Sequence, residues 1–394
     1  MKKLFFLMLA GAPLLLAAPA HATPYIPASG DTVIETLARR ADPAQRELRR
    51  LRSRLSAAPR DLALATGLAR RYIALGRADT DPRYLGYAQA ALAPWWRLAA
   101  PPPEVRLLRA TLLQGSHHFD AALADLDGVL AAAPNMAQAW LTRATVLTVQ
   151  GEYAAATASC ARLSKLANEL VTIACIANVG ALTGRLAKSE ALLELGLRRG
   201  GAVDPELRLW VLTLLAEMAS RRGDAALAEA RFRDALALSP RDCYLQGAYA
   251  DFLLDQDRPA QVIALLREQG RVDALLLRRA LAWRRMPGGA RELAADSAEL
   301  AARFEAAALR GDTVHRREQA RFELALRDNP RAALALARQN WALQREPADL
   351  RIYLEAALQA HEPAAAKPAL DWMSAHRGED AAALRLARQL KAGA

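Results

Sequence analysis

The side chains best suited to metal or nucleophilic chemistry in this 394-residue sequence are six histidines and three cysteines, and their spacing supports no site. His117-His118 are neighbours, so their rings point different ways, and no carboxylate or thiol is spaced to complete a metal shell. They read instead as a solvated turn. His361-Glu362 begins like a zinc-protease helix, but Pro363 follows and the second histidine is missing. There is no Gly-rich phosphate loop ending in Gly-Lys-Ser/Thr and no Gly-x-Ser-x-Gly nucleophile turn. Between 276 and 345 stand only His315 and scattered carboxylates, of which Glu292 and Asp296 beside Arg291 are the ordinary pairing of a helix surface. The expectation is a chain without catalysis, cofactor or metal. Cys160 and Cys175 fall on successive helices and leave two readings open. One is a bridge, worth about 3 kcal/mol for a loop of that size; the other is a pair of small buried fillers. Cys243 has no evident partner.

The elements that would carry these residues are helical. The chain is rich in Ala, Leu and Arg, only 6% aromatic, and nearly without alternating Val, Ile, Thr and Tyr. At the N-terminus, Lys2 and Lys3 precede an apolar run from Leu4 to Ala18 and the small-residue pattern Ala20-His21-Ala22. That reads as a cleavable export signal cut after Ala22, since about 15 apolar residues broken by Gly11 and Pro13 are short for a span of roughly 20. A periplasmic protein is expected, with secretion as the alternative, and no transmembrane segment after cleavage. The formal charge is +11, but only six of the 53 basic residues are Lys; the arginines run through every segment, as a coding bias also produces. The densest group, Arg39-Arg40, Arg46, Arg49-Arg50, Arg52 and Arg54, lies on a helix whose Leu48, Leu51 and Leu55 form the buried stripe. A solvated face is the simpler reading, and no nucleic-acid partner is expected.

Self-similarity is the strongest signal. Ala110, Leu113, Phe119, Ala122 and Leu126 recur as Ala144, Leu147, Tyr153, Ala156 and Cys160, each pair 34 residues apart. The lattice resumes at Ala216, Gly223, Ala228, Phe232 and Ala235, and Ala216 is again 34 before Ala250. One looser unit fills roughly 169–205. Small residues mark where two helices cross, with Trp140, Leu147, Tyr153 and Phe232 filling the space beside them. Gly151 and Gly223 end first helices in the left-handed conformation, and Pro134 and Pro240 stop second helices.

With these residues in place, the chain resembles a tetratricopeptide repeat (TPR) protein of exported bacterial type. Trp140, Ala144, Leu147, Gly151, Tyr153 and Ala156 follow the family pattern; Leu68, Ala69, Tyr72 and Gly76 match an earlier first helix, followed by a second helix led by Asp81-Pro82 as N-cap and first-turn proline. The resemblance implies an all-α solenoid of antiparallel helix pairs in a right-handed superhelix, degenerate towards the C-terminus. The expected organisation is a signal peptide at 1–22, a linker and basic helix at 23–58, TPR-like repeats at 59–275, and divergent helical repeats with a capping helix at 276–394.

It also implies a concave groove lined by the first helix of each unit. By frame its residues are Gln138, Leu141, Thr145 and Thr148; Trp210, Thr213, Glu217 and Arg221; and Tyr244, Asp251 and Asp255. A mixed lining of aromatics, hydroxyls and carboxylates suits an extended or helical peptide better than a small metabolite, and the expected partner is a protein or peptide, an envelope or exported protein. Two readings of Trp210 and Tyr244 stand, as interface anchors or as packing between units. The chaperone-tail clamp of the family is absent, because its Lys and Asn positions hold Leu107 and Thr111, Leu141 and Thr145, Thr213 and Glu217. Trp95-Trp96 before Pro101-Pro102-Pro103 is either an exposed docking patch or a plug between units. The leading expectation is a periplasmic adaptor or scaffold. Alternatives are a holdase resembling the TPR modules of cytochrome c maturation, and anionic lipid or polysaccharide binding by the Arg-rich helix.

Overall fold

A computed structural model describes Ser29 and residues 43–392; the expected signal segment, and Arg39-Arg40, lie outside the described residues. Two compact units divide at Arg50 and Leu51, inside the first helix. Of the first, Ser29 and the start of α1 (Pro43–Ala57) are described. All later helices belong to the second.

Its helices follow at short intervals. They are α2 (Leu62–Asp79), α3 (Arg83–Ala91), the single turn α4 (Ala93–Trp96), α5 (Pro103–Gly115), α6 (Phe119–Ala132), α7 (Ala137–Gln150) and α8 (Tyr153–Arg162). Next come α9 (Glu169–Gly180), α10 (Leu186–Arg199), α11 (Pro205–Arg222), α12 (Ala225–Leu238), α13 (Cys243–Asp255) and α14 (Pro259–Leu265). The rest are α15 (Asp273–Trp283), α16 (Ala290–Leu309), α17 (Arg316–Ala325), α18 (Pro330–Trp341), α19 (Pro347–Gln359), α20 (Lys367–Ala375) and α21 (Ala381–Ala392). No strand occurs among the described residues. Consecutive helices pack as hairpins, α5 on α6, α7 on α8, α9 on α10, α11 on α12 and α17 on α18, and each hairpin packs on the next. This is an all-α, TPR-like solenoid. The boundary expected at 275/276 falls inside α15, so the sequence pattern changes there without a break in the fold.

Local chemistry sets the hairpins. Asp204, Asp224 and Asp242 cap α11, α12 and α13 by accepting backbone N–H bonds from the first turn. Gly151 and Gly223 take φ of 81° and 87° after α7 and α11, where a Cβ would be strained. At the second hairpin helix of the early unit, Pro82 is the cap residue and helix α3 starts at Arg83, whose N–H bonds to Asp81 at 3.0 Å, one residue later than expected. The small lattice residues Ala110, Ala122, Ala144, Ala156, Ala216, Ala228 and Ala250 are all buried. Large apolar groups fill the space beside them, as Phe232, Tyr249 and Phe252 do in the core between α12 and α13.

Polar contacts also recur from unit to unit. Arg109 on α5 forks onto Asp125 on α6 at 2.5 and 2.6 Å, and 34 residues later Arg143 donates to Ser159 at 2.9 Å. Trp140 Nε1 bonds to the Pro134 carbonyl and Gln246 Nε2 to the Pro240 carbonyl, both at 2.8 Å. Each ties a first helix to the end of the helix before it. Cys160 and Cys175 are joined by a disulfide between α8 and α9, with Cα atoms 5.5 Å apart, which resolves the two readings in favour of the bridge. Cys243 is free. Trp95 and Trp96 are half-buried in α4, and Pro103 opens α5, so the Trp pair belongs to a joint between helices.

Candidate protein-binding groove

The first helices α7, α11 and α13 carry the eleven groove positions, and burial divides them. Gln138 and Thr145 are open and Leu141 is half-buried. Thr148 and Thr213 are not available to a partner: both are buried, their hydroxyls bonded to the Ala144 and Leu209 carbonyls one turn back. Trp210 is half-buried against the core of α9, α10 and α11, so it packs between units. Tyr244 is 66% exposed, and its hydroxyl donates to Glu217 at 2.7 Å. Arg221 donates to the Ala181 carbonyl at 3.1 Å.

Asp251 and Asp255, read as partner-facing carboxylates, are already engaged by the chain itself. Asp251 accepts from Arg278 at 2.5 Å and from Arg321 on α17 at 2.6 Å. Asp255 accepts a bidentate pair from Arg351 on α19 at 2.6 and 2.7 Å, across 96 residues. The C-terminal helices therefore return to the face of α13 that the frame assigns to the groove.

The loop between α18 and α19 and the helices α20 and α21 complete this return. The Arg345 N–H donates to the Val149 carbonyl at 2.7 Å and its guanidinium to the Gln150 carbonyl at 3.2 Å. The same guanidinium lies 4.7 Å above the Trp372 ring. Trp372 in turn lies 5.8 Å from the Tyr153 ring, and His376 5.1 Å from it. Glu379 accepts the Leu186 N–H at 2.5 Å, capping α10 from 193 residues away where Arg185 offers no side-chain cap.

The charges of this interior are mutually compensating. Burial raises the Glu217 carboxyl, with the Tyr244 hydroxyl and Arg221 pulling the other way. The Glu217 charge first, and the Glu346 charge with it, hold the Tyr244 phenol well above its usual range, although most of the residue is exposed. Burial alone would raise Asp251, but Arg278 and Arg321 hold it well below the usual carboxylate range. Asp349, 1% exposed, is pushed up to about 7 by burial, although Arg317, Asn340 and the Glu346 N–H all favour its charge. Tyr153 is raised to about 12, chiefly by burial. His117, on the turn between α5 and α6, is half-buried rather than a freely solvated turn residue. Burial first and Arg317 second lower its pKa. Among the described residues no group of three His, Cys, Asp or Glu side chains is placed to hold a metal, and no helix is long and apolar enough to cross a membrane.

No protein-family model matches the sequence, and no curated protein does. Among solved structures, the chain is similar to a tetratricopeptide repeat protein from Parabacteroides merdae, at 13% identity over 74% of this chain and 97% of that one, with TM-score 0.37. It is similar to the TPR domain of P58(IPK), at 16% identity over 84% and 98%, with TM-score 0.24. It is also similar to yeast Tom70, at 10% identity over 84% and 94%, with TM-score 0.25. The TPR-like architecture rests on the chain's own hairpins and 34-residue period.

Arg317, Arg345, Glu346, Arg351, Trp372 and Glu379 escaped sequence reading. Their partners lie as far off in sequence as Tyr153 does from Trp372, and none of the six sits on the lattice.

Proposed function

We propose that this chain is an exported, periplasmic scaffold that holds a protein or peptide partner on the inner side of its first helices and carries out no reaction of its own. The observation that carries the reading is Tyr244: a large ring 66% exposed, yet held by its hydroxyl to Glu217 at 2.7 Å. A rigid aromatic with an open face and few rotamers to lose is the kind of group that anchors interfaces, worth about 2 kcal/mol or more when central. Gln138 and Thr145 offer open polar contacts on α7. Export is supported by the Lys2-Lys3, apolar and Ala20-His21-Ala22 pattern.

The test is crosslinking and affinity capture from the cell envelope, comparing the natural chain with Tyr244→Ala and with Thr145→Arg. Trp210 is left alone because it supports the core. The reading expects one dominant partner, lost in both variants at unchanged helicity. Recovery of the same partner by all three chains would refute the groove as the working surface, and recovery of the chain only from the cytoplasm would refute export.

A further inference from the structure

The polar acceptors of the inner side are occupied by the chain's own C-terminal helices, and the chemistry of that occupation identifies what else fits there. The occupied acceptors are the Asp255 carboxylate and the Val149 and Gln150 carbonyls at the end of α7. Their donors are Arg351 and Arg345, the second by its backbone as well as its guanidinium, with the Trp372 ring seated over Gly151. We propose that 330–392 acts as a displaceable internal ligand, and that the partner is an arginine-bearing helical segment which takes over these acceptors. This deepens the scaffold reading above and rests on it.

Two observations make the seat separable. Helices α18 to α21 share one core with Ala320 and Leu324 of α17, built around Leu334, Trp341, Tyr353 and Leu390, so α17 is the joint on which the seat turns. Across the closure, Trp372 is the C-terminal side chain that joins the apolar cluster of α7 to α9. Beside it the His376 ring packs on Tyr153 and α21 approaches α11, and the other links are hydrogen bonds and ion pairs, of which the Asp255 and Arg351 side chains keep about a third of their surface in water. Such links roughly break even against solvation, unlike a buried apolar joint. In addition, a solenoid is joined neighbour to neighbour, so a small change at each hairpin interface separates elements far apart in sequence without breaking any one interface.

The experiment uses the full chain and, as probe, a labelled synthetic peptide copying residues 343–361. A control peptide carries Arg345→Glu and Arg351→Glu. The natural chain is expected to bind the probe no better than the control. The Arg345→Ala, Trp372→Ala chain should bind it at least tenfold more tightly, and adding Asp255→Ala should remove most of that increase. Native-state hydrogen exchange of the Leu186 and Arg345 amides in the unaltered chain gives an independent reading, because both bond across the closure. They should exchange through an opening faster than unfolding of the α11 and α12 core. Exchange of these amides only by global unfolding overturns the proposal, since 330–392 is then a permanent part of the fold. So does exchange-verified opening without increased probe binding. Failure to capture an envelope partner bears on the scaffold reading alone, because the peptide assay needs no such partner.

Discussion

Gly151 joins two kinds of information at one residue. Its φ of 81° is a local requirement of the α7 to α8 turn, and a Cβ there would come within 2.4 Å of the Trp372 ring. Gly151→Ala is expected to cost about 1–2 kcal/mol from the left-handed backbone alone, with a further cost from the indole. In a Trp372→Ala background only the first cost remains, so a double-mutant cycle in urea should give a coupling of at least about 0.5 kcal/mol. Simple additivity would mean that the indole does not seat on this turn. His117 tests the interior by pH. Its folded pKa is lowered from the usual histidine value of about 6.5, so the unfolded chain binds the proton first as pH falls. Stability from this residue is whole above about pH 6.5 and declines as pH drops through the window down to the folded value. Asp349 acts in the opposite sense: its folded pKa is raised, so its contribution is present at low pH and is lost as pH rises towards about 7. The stability difference between the natural chain and His117→Asn, which keeps Asp349 in both, should therefore shrink below pH 6.5. A difference that is flat with pH would place the imidazole in water. Asn suits the left-handed backbone at φ 58°.

At the scale of the helix hairpin, equivalent lattice positions carry unequal energies. Arg109 and Asp125 are both nearly enclosed, with side chains 14% and 10% exposed, whereas Asp127, paired with Arg143 one repeat later, is 60% exposed. Removing Arg109 strands a buried carboxylate, and Arg109→Ala should cost about 3 kcal/mol. Arg143→Ala should cost less than about 1 kcal/mol for its ion pair, plus about 1 kcal/mol for the Ser159 bond. Equal losses in denaturant unfolding would show that the enclosed pair is solvated. The spacing of Ala, Gly and Pro was enough to read the hairpins, because helix crossing, left-handed turns and helix ends depend on residues within one unit. It left the α8 to α9 bridge undecided, because two cysteines on neighbouring helices pair only if their facing sides meet, and that depends on how the helices roll against each other.

For the whole molecule, the closure between early and late helices is the feature to test. A Cβ built at Gly223 would lie 3.8 Å from the Ala381 Cβ, within the usual span of a disulfide. Gly223→Cys with Ala381→Cys should therefore form a bridge between the α11 to α12 turn and α21 under oxidising conditions, despite the strain of Cys at φ 87°. Peptide mapping reads the outcome, and two persistently free thiols would mean that the two ends stand apart. Such a closure has no periodic trace. The lattice identified an all-α solenoid, because every rule it obeys acts between neighbouring helices. Their spacing put Tyr244, Asp251 and Asp255 on one face of α13. That Asp251 and Asp255 are bound by Arg321 and Arg351, and that Thr148, Thr213 and Trp210 turn inward, was decided by tertiary structure. Small rotations at each hairpin interface accumulate along the solenoid, and only their sum determines which distant surfaces meet.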